Sequence, residues 1–426
     1  MSSPQADYYR LRTEWLRFKS QLFDGLTGLP ALAAVVEEVR RLLESRGSAE
    51  VVYLDLGRSG WHETKLGWAA YDEAVRDFAV LLSGLQQSGE LGDGGVVCLH
   101  TVRSDRFLLF MGAGATDEAT DARRESVLSI LQQRMKRFQG GALLGGLQLF
   151  GGHARVENDP MVRSERAIQQ AVAEAMLSSL TQREGIDAAR RDDLARMIAE
   201  GSIRSVFHPI VRLADHGIMG HEALTRPLGA TAFASVEELF SFAETTELLV
   251  DFERLCRGTA IRSATAVPGL GMLFLNASAR AVEDPEWSEG TMDELLARSG
   301  LTPGDVVVEI TERLAIVRHD EFQGALRTFK RRGYRVAVDD MGAGYASLQA
   351  LASIEPEFLK FDVSLVRDID RSSIKRSLLE SLRQLADKIR ARVIAEGIER
   401  EEEKETLLDL GIELGQGFYF HREEPQ

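Results

Sequence analysis

Only two cysteines, Cys98 and Cys256, occur in 426 residues. No CxxC pair or Cys/His cluster accompanies them, which excludes a disulfide framework and a zinc site of the usual spacing. A basic excess is missing too: 51 Lys and Arg against 66 Asp and Glu leave a formal charge of −15. That balance excludes a general nucleic-acid binder and electrostatic docking on anionic lipid. An anionic small molecule stays admissible, because surface charge beyond a Debye length of about 8 Å is screened and charge inside a pocket decides. No apolar run reaches the roughly 18 residues that span a bilayer. The opening stretch, MSSPQADYYRLRTEW, holds no signal-peptide apolar core. These absences predict a reducing, cytoplasmic protein with neither nucleic acid nor membrane among its partners.

What is present is ordinary globular material. Hydrophobic content is 44%, and 426 residues suggest two or three domains. Tyr8, Leu11, Trp15, Phe18 and Leu22 recur at helical spacing, so residues 1–22 predict an amphipathic helix, packed on its own domain or used for self-association. Residues 23–180 mix strand-like runs (VVYLDL, GGVVCLHTV, RFLLFMG) with helical patterns such as ALAAVVEEVRRLLES. This predicts an α/β domain with a central sheet flanked by helices. The charged, proline-free stretch 181–201 predicts a linker helix. From 202 to 426, strand and helix patterns alternate and predict one (β/α)8 barrel. A doubly wound open sheet would want a phosphate-binding glycine loop after its first strand, and none is there.

Six apolar runs of this second half finish on polar groups. IMGHE carries Glu222, MLFLN Asn276, VVVEI Glu309, RVAVDD the pair Asp339–Asp340, FLKFD Lys360 and RVIAE Glu396. Short β-branched and aliphatic runs read as buried parallel strands, and the C-terminal ends of barrel strands face one pocket. Glu222, Asn276, Glu309 and Asp339 form a hard-oxygen set suited to Mg2+ or Mn2+. Asp340 provides for a second ion bridged by Asp339; two ions about 4 Å apart clamp a phosphodiester and activate a shared water. Lys360 and Arg226 are left to favour an anionic ligand. Lys360 positions the water or stabilises phosphate charge, and Glu396 orients the water or accepts its proton. The competing reading of Lys360 is a structural ion pair with Asp362, two residues on and on the same face. Without metal, the converging carboxylates repel and some take up protons.

HEALTR, FLNAS, EITE, DDMGAGYASL, FLKFD, AEGIE and GQGFYF follow in the order and spacing of one family. Over 190–421 the chain resembles EAL-domain cyclic di-GMP phosphodiesterases. The resemblance implies a modified barrel with one antiparallel strand, hydrolysing cyclic di-GMP to linear pGpG with two Mg2+ or Mn2+ ions. By position it implies Glu222, Asn276, Glu309 and Asp339 as ligands of the first ion, and Asp339 and Asp340 as ligands of the second. Lys360 and Glu396 resemble the water-positioning pair, and Gln416 the supporting glutamine of the last strand. Glu312 resembles the anchor of the DDMGAGYASL loop, and Arg226 the arginine on substrate phosphate. His208 stands where the family usually has glutamine, and Pro227 replaces tryptophan or glycine; both bear on substrate binding. A barrel that binds cyclic di-GMP without cutting it is the alternative, but inactive relatives usually lose a metal acid and none is lost here. A homodimer is expected.

DGLTGLP, YLDLG and WAAYDEA resemble the opening of a GGDEF diguanylate cyclase domain that has decayed. Asp55, Asp72 and Asp105 match its nucleotide-site acids. The signature loop, however, reads Arg103-Ser104-Asp105-Arg106-Phe107. A phosphate-cradling turn there wants two φ-permissive residues. Arg106 replaces a carboxylate, and Glu63 replaces the guanine-reading asparagine. The resemblance implies a cyclase-inactive regulatory or interaction module, with GTP as a candidate ligand.

Overall fold

The computed structural model describes residues 18–56, 68–114, 116–137, 149–278, 280, 284–311, 319–342 and 354–421. The chain divides into two compact units, Met1–Ala188 and Ala189–Gln426. Most of the first-helix seam (Tyr8, Leu11, Trp15), Glu63 and the loop anchor Glu312 lie outside the described residues.

The first unit is an antiparallel sheet of β1 (Ser48–Asp55), β2 (Val96–Leu99), β3 (Arg106–Gly112) and β4 (Phe150–Glu157), in the order β2-β3-β1-β4. Its main helices are α1 (Leu32–Arg46), α2 (Trp68–Gln87), α3 (Asp117–Arg137) and α4 (Ser164–Glu200). Strand β1 shows no apolar/polar alternation because both of its faces are covered. Val52 and Leu54 pack with Phe78 of α2 and Leu131 of α3, while Val51 and Tyr53 pack with Val39 of α1 and Val172 of α4. The sequence gives little warning of β4, FGGHARVE. Its second glycine has a packing cause: a Cβ on Gly152 would lie 2.0 Å from the Ala175 carbonyl oxygen and 2.3 Å from the Ser179 nitrogen. Residues 181–200 of the expected linker are not a separate helix but the latter part of α4, and Gly201 turns out of it.

The second unit is a closed barrel, in the order β10-β11-β12-β5-β6-β7-β8-β9. Its strands are β5 (Ile203–Arg212), β6 (Ile218–Pro227), β7 (Met272–Asn276), β8 (Val306–Thr311), β9 (Arg335–Met341), β10 (Phe358–Phe361), β11 (Arg392–Ala395) and β12 (Leu414–Gly415). Strand β5 runs antiparallel to both of its neighbours, and the other pairings are parallel. Among the helices between them are α5 (Val236–Glu244), α6 (Leu249–Ala264), α7 (Thr291–Arg298), α8 (His319–Arg332), α9 (Ser373–Ile389) and α10 (Glu401–Asp409). The pattern predicts α5 as far as 249, but it stops at Glu244. The hydroxyls of Thr245 and Thr246 bond to the carbonyls of Phe242 and Ala243 at 2.7 and 2.9 Å and close its last turn.

The last strand also differs from expectation. GQGFYF reads as a strand, yet β12 is only Leu414–Gly415 and Phe418–Phe420 form a turn. Gly417 lies against the backbone of Ile398, and the Tyr419 N–H donates to the Ile398 carbonyl at 2.9 Å. The chain is thus folded back onto the segment that follows β11.

One layer of apolar side chains plugs the barrel interior: Ile210, Phe274, Val307, Ala337, Phe358, Ile394 and Leu414. Their neighbours Leu275, Val308, Val338, Leu359 and Ala395 face outward into the helix-covered core. Side chains in a strand alternate between faces. The residue two positions beyond each plug must therefore turn back inside, at the mouth.

Candidate active site

Counting two from each plug yields the site. Phe274 leads to Asn276, Val307 to Glu309, Ala337 to Asp339, Phe358 to Lys360, Ile394 to Glu396 and Leu414 to Gln416. On β6 the plug position is Gly220, where a Cβ would meet the Phe274 ring at 3.1 Å, and two residues on is Glu222. On β5 the direction is reversed, so His208 precedes Ile210 by two and pairs in register with Glu222.

Consecutive strand residues face opposite ways, so Asp339 and Asp340 would ordinarily diverge. Two local features prevent this. The pairing of β9 with β10 shifts register at Leu359/Phe361, and Asp340 adopts φ +59. Left-handed backbone is open to aspartate at modest cost. The Asp340 N–H donates to Asp339 Oδ1 at 2.9 Å, and both carboxylates serve the same mouth.

Lys360 sits at the centre, 1% exposed. Its Nζ lies 2.8 Å from Glu396, 2.9 Å from Glu309, 3.2 Å from Glu222 and 3.4 Å from Asp339. Asp362 instead caps the short helix Val363–Val366, accepting the Ser364 N–H at 2.8 Å. Gln416 Nε2 bridges Glu222 at 2.8 Å and Glu396 at 2.9 Å. Asn276 Nδ2 donates to Glu222 at 3.1 Å.

Protonation follows these partners. Burial alone would raise Glu222, but Lys360, Gln416 and Asn276 hold it down at about 2. Burial, then the Glu222 charge, pushes Glu309 well up, and neither of its oxygens receives a well-aligned hydrogen bond. Burial likewise raises Asp339, and with Asp339 and Asp362 nearby it takes Asp340 to about 6. Glu396 rises to about 8 through burial, against the pull of Lys360. Burial would lower Lys360, but the surrounding carboxylates raise it well above the usual ammonium value. The metal-free cluster is thus short of positive charge and holds protons in its place.

The donor chemistry fits divalent ions. Glu222, Glu309 and Asp339 present oxygens within 4.8 Å of one another, and so do Asp339, Asp340 and Glu396. Asp339 belongs to both triads, and Glu396 joins the second, a position its assignment to water handling did not anticipate. A third acidic group, Asp368, Asp370 and Glu403, is filled by the Arg400 guanidinium, 2.5 Å from Asp370 and 3.1 Å from Glu403. It is a structural knot.

At the rim, Arg226 follows Glu222 by four residues on β6, hence on the same face, and donates to the Thr225 carbonyl at 3.0 Å. Burial lowers His208, whose ring lies 5.7 Å from that of His421. Sequence reasoning passed over His421, which follows GQGFYF outside any strand. It also passed over Glu253 on α6, whose carboxylate accepts the Ser278 N–H at 3.2 Å just beyond Asn276. An acid within the apolar stripe of an amphipathic helix was the available signal.

In the first unit Asp55 and Asp105 are engaged separately. Asp55 faces Arg106 at 3.7 Å, and Asp105 accepts the Tyr71 hydroxyl at 2.9 Å. Among the described residues Asp55, Asp72 and Asp105 form no group close enough to share a cation. Arg103 takes φ +60 in the turn before β3, with its N–H on Asp24 at 3.0 Å.

The sequence profile of the EAL domain matches residues 191–423, and the chain belongs to this family. An uncharacterized protein of Mycobacterium tuberculosis is 26% identical over 94% of this chain and 66% of its own length. Cyclic di-GMP phosphodiesterase PdeF of Escherichia coli is 32% identical over 32% of this chain and 18% of its own. The chain thus spans just under two thirds of the mycobacterial relative and a small part of PdeF. An EAL enzyme solved with cAMP and cyclic di-GMP bound shares the fold, with a TM-score of 0.53 and 23% identity over 63% of this chain and 77% of that one. Among the described residues no helix is long and apolar enough to cross a membrane.

Proposed function

We propose that the barrel is a metal-dependent phosphodiesterase that opens cyclic di-GMP to linear pGpG. The observation that carries this is the pair of carboxylate triads sharing Asp339 around a buried Lys360. Family membership and the phosphodiesterase named among the relatives support it. Glu222, Asn276, Glu309 and Asp339 would hold one Mg2+ or Mn2+, and Asp339 and Asp340 a second. Such ions supply a water of lowered pKa and neutralise phosphate charge.

The remaining work belongs to the chain. Glu396, 2.8 Å from the Lys360 ammonium, accepts a proton from the water in its deprotonated form. Lys360 holds Glu396 in place and offers a cation to the phosphate as its charge grows. Gln416 keeps Glu222 and Glu396 in fixed relation. The water oxygen bonds to phosphorus, the phosphorus–O3′ bond breaks, and the departing O3′ takes up a proton. Arg226 and His208 hold the substrate at the rim.

In the same reading the first unit is a GGDEF-like regulatory or interaction module without cyclase activity, with GTP as its candidate effector, and the chain acts as a homodimer. Incubation with GTP and Mg2+ is expected to form no cyclic di-GMP, because Arg106 stands against Asp55; formation of the product would restore a cyclase reading. The decisive test of the barrel is incubation of the purified chain with cyclic di-GMP and Mg2+ or Mn2+, followed by chromatography for pGpG. Absence of product with both metals overturns the proposal, and tight binding without product points to a receptor.

A further inference from the structure

We propose that Glu253 is a positioning residue for the metal cluster: from helix α6 it fixes the turn after β7 and so sets the aim of the Asn276 amide. The inference rests on reading the barrel mouth as a divalent-metal site.

Asn276 is the last residue of β7 and the uncharged member of the oxygen set. Its Nδ2 is committed to Glu222 at 3.1 Å, which leaves the amide oxygen as the atom available to an ion. A side chain at a strand end has no ladder beyond it to fix its direction. Here the next two residues are clamped from different sides. The Ala277 N–H donates to the Glu309 carbonyl at 2.9 Å, which continues the parallel ladder to β8. The Ser278 N–H donates to the Glu253 carboxylate at 3.2 Å, which ties the turn to a helix on the outside of the barrel.

Glu253 is an expensive residue to keep there. It lies in the buried stripe of α6 with Phe252 and Arg257 and is 5% exposed. Its second oxygen is buried with no hydrogen-bond partner among the described residues. Arg257, one turn on, is engaged by Asp284 at 2.6 Å and Glu286 at 3.3 Å and lies over the Trp287 ring. Glu253 thus has no ion pair of its own among the described residues, and burial pushes it up to about 7. An apolar residue would fill the stripe without that penalty. What the acid adds is an acceptor for the turn that carries a metal ligand. Groups of this kind behind a metal site typically change metal affinity by about 10–100-fold.

The test is Mn2+ affinity of the full chain, by calorimetry, for the wild type, Glu253→Ala and Glu253→Gln, beside thermal unfolding of the metal-free proteins. Alanine is expected to weaken Mn2+ binding about tenfold or more without a matching loss of metal-free stability. Glutamine, whose side-chain oxygen accepts the same N–H, is expected to recover most of the affinity. Glu253→Met keeps the volume without the acceptor and serves if the alanine variant fails to fold; its expected loss is the same. Wild-type affinity in the alanine or methionine variant overturns the inference, and so does a glutamine variant as weak as alanine. A wild-type chain that binds no Mn2+ is a separate failure, that of the metal site itself.

Discussion

The buried Lys360 ammonium lies 2.8 Å from Glu396 Oε1, whose side chain is partly open to solvent at the barrel mouth. Glu396 still titrates high, at about 8. One cation shared among several acids does not stabilise each of them fully. Proton removal from water requires the deprotonated carboxylate, which the fixed positive charge of Lys360 favours. Lys360→Met is expected to cut turnover by about 10²–10³-fold while Mn2+ binding persists, because the oxygen ligands remain. Steady-state kinetics and calorimetry on one preparation check this. Retained turnover, or loss of metal binding along with it, contradicts the role given to Lys360.

Glu309 provides a contrasting case. It is fully buried, and its protonated form is favoured without metal. Glutamine imitates that neutral form. Glu309→Gln should therefore leave the metal-free melting temperature near that of the wild type, abolish the rise produced by Mn2+, and reduce turnover by about 100-fold or more. Differential scanning calorimetry with and without the ion separates these effects. A variant still stabilised by Mn2+ as the wild type is would remove Glu309 from the ligand set.

The raised acids also fix the sign of a pH dependence. Asp340 titrates near 6 and Glu396 near 8, both above the ordinary carboxylate range. Their protonated forms favour the metal-free fold at low pH, and that contribution fades as pH rises through these values. Ion binding requires the deprotonated forms and strengthens over the same window. The melting-temperature increment produced by saturating Mg2+ should thus be larger at about pH 8.5 than at about pH 5, a range that brackets both groups. An increment that shrinks with pH would contradict the assignment.

Gly417 tests the link between backbone packing and the site. It has φ +154, and a Cβ there would lie 2.2 Å from the Ile398 oxygen and 2.3 Å from its nitrogen. Gly417→Ala must push the chain off Ile398 and move Gln416, the neighbour that bridges Glu222 and Glu396. A stability loss of about 1–3 kcal/mol in urea titration is expected, together with at least about a tenfold fall in kcat. Full activity in the alanine variant would show that the bridge is dispensable.

The barrel was legible because its strands are buried on both faces and read as short continuous apolar runs. VVVEI and FLKF announce themselves in this way, and the acids two residues past each plug follow from the pleat. Where side chains do not carry the signal, the sequence was mute. Gly151 and Gly152 conceal β4, and Gly152 is there to admit a helix rather than to fill a core. GQGFYF looks like a strand but is bent away by contacts with Ile398, residues distant in sequence until the barrel closes. The double aspartate pointed to a second ion, but neither the left-handed backbone that turns Asp340 to the mouth nor the place of Glu396 beside it has a periodicity. Glu253 lies on a helix, outside the strand ends where the search for ligands naturally begins.

The reversal of β5 sets where the polypeptide enters the barrel. Ile203, its first residue, is registered against Pro227, and Arg204 against Arg226. A barrel of uniformly parallel strands would receive its leading segment at the floor, remote from the chemistry. In this one Glu200, the last residue of α4, hands the chain over at the working rim. Arg204 and Arg226, opposite each other on β5 and β6, thus stand where the chain enters the barrel.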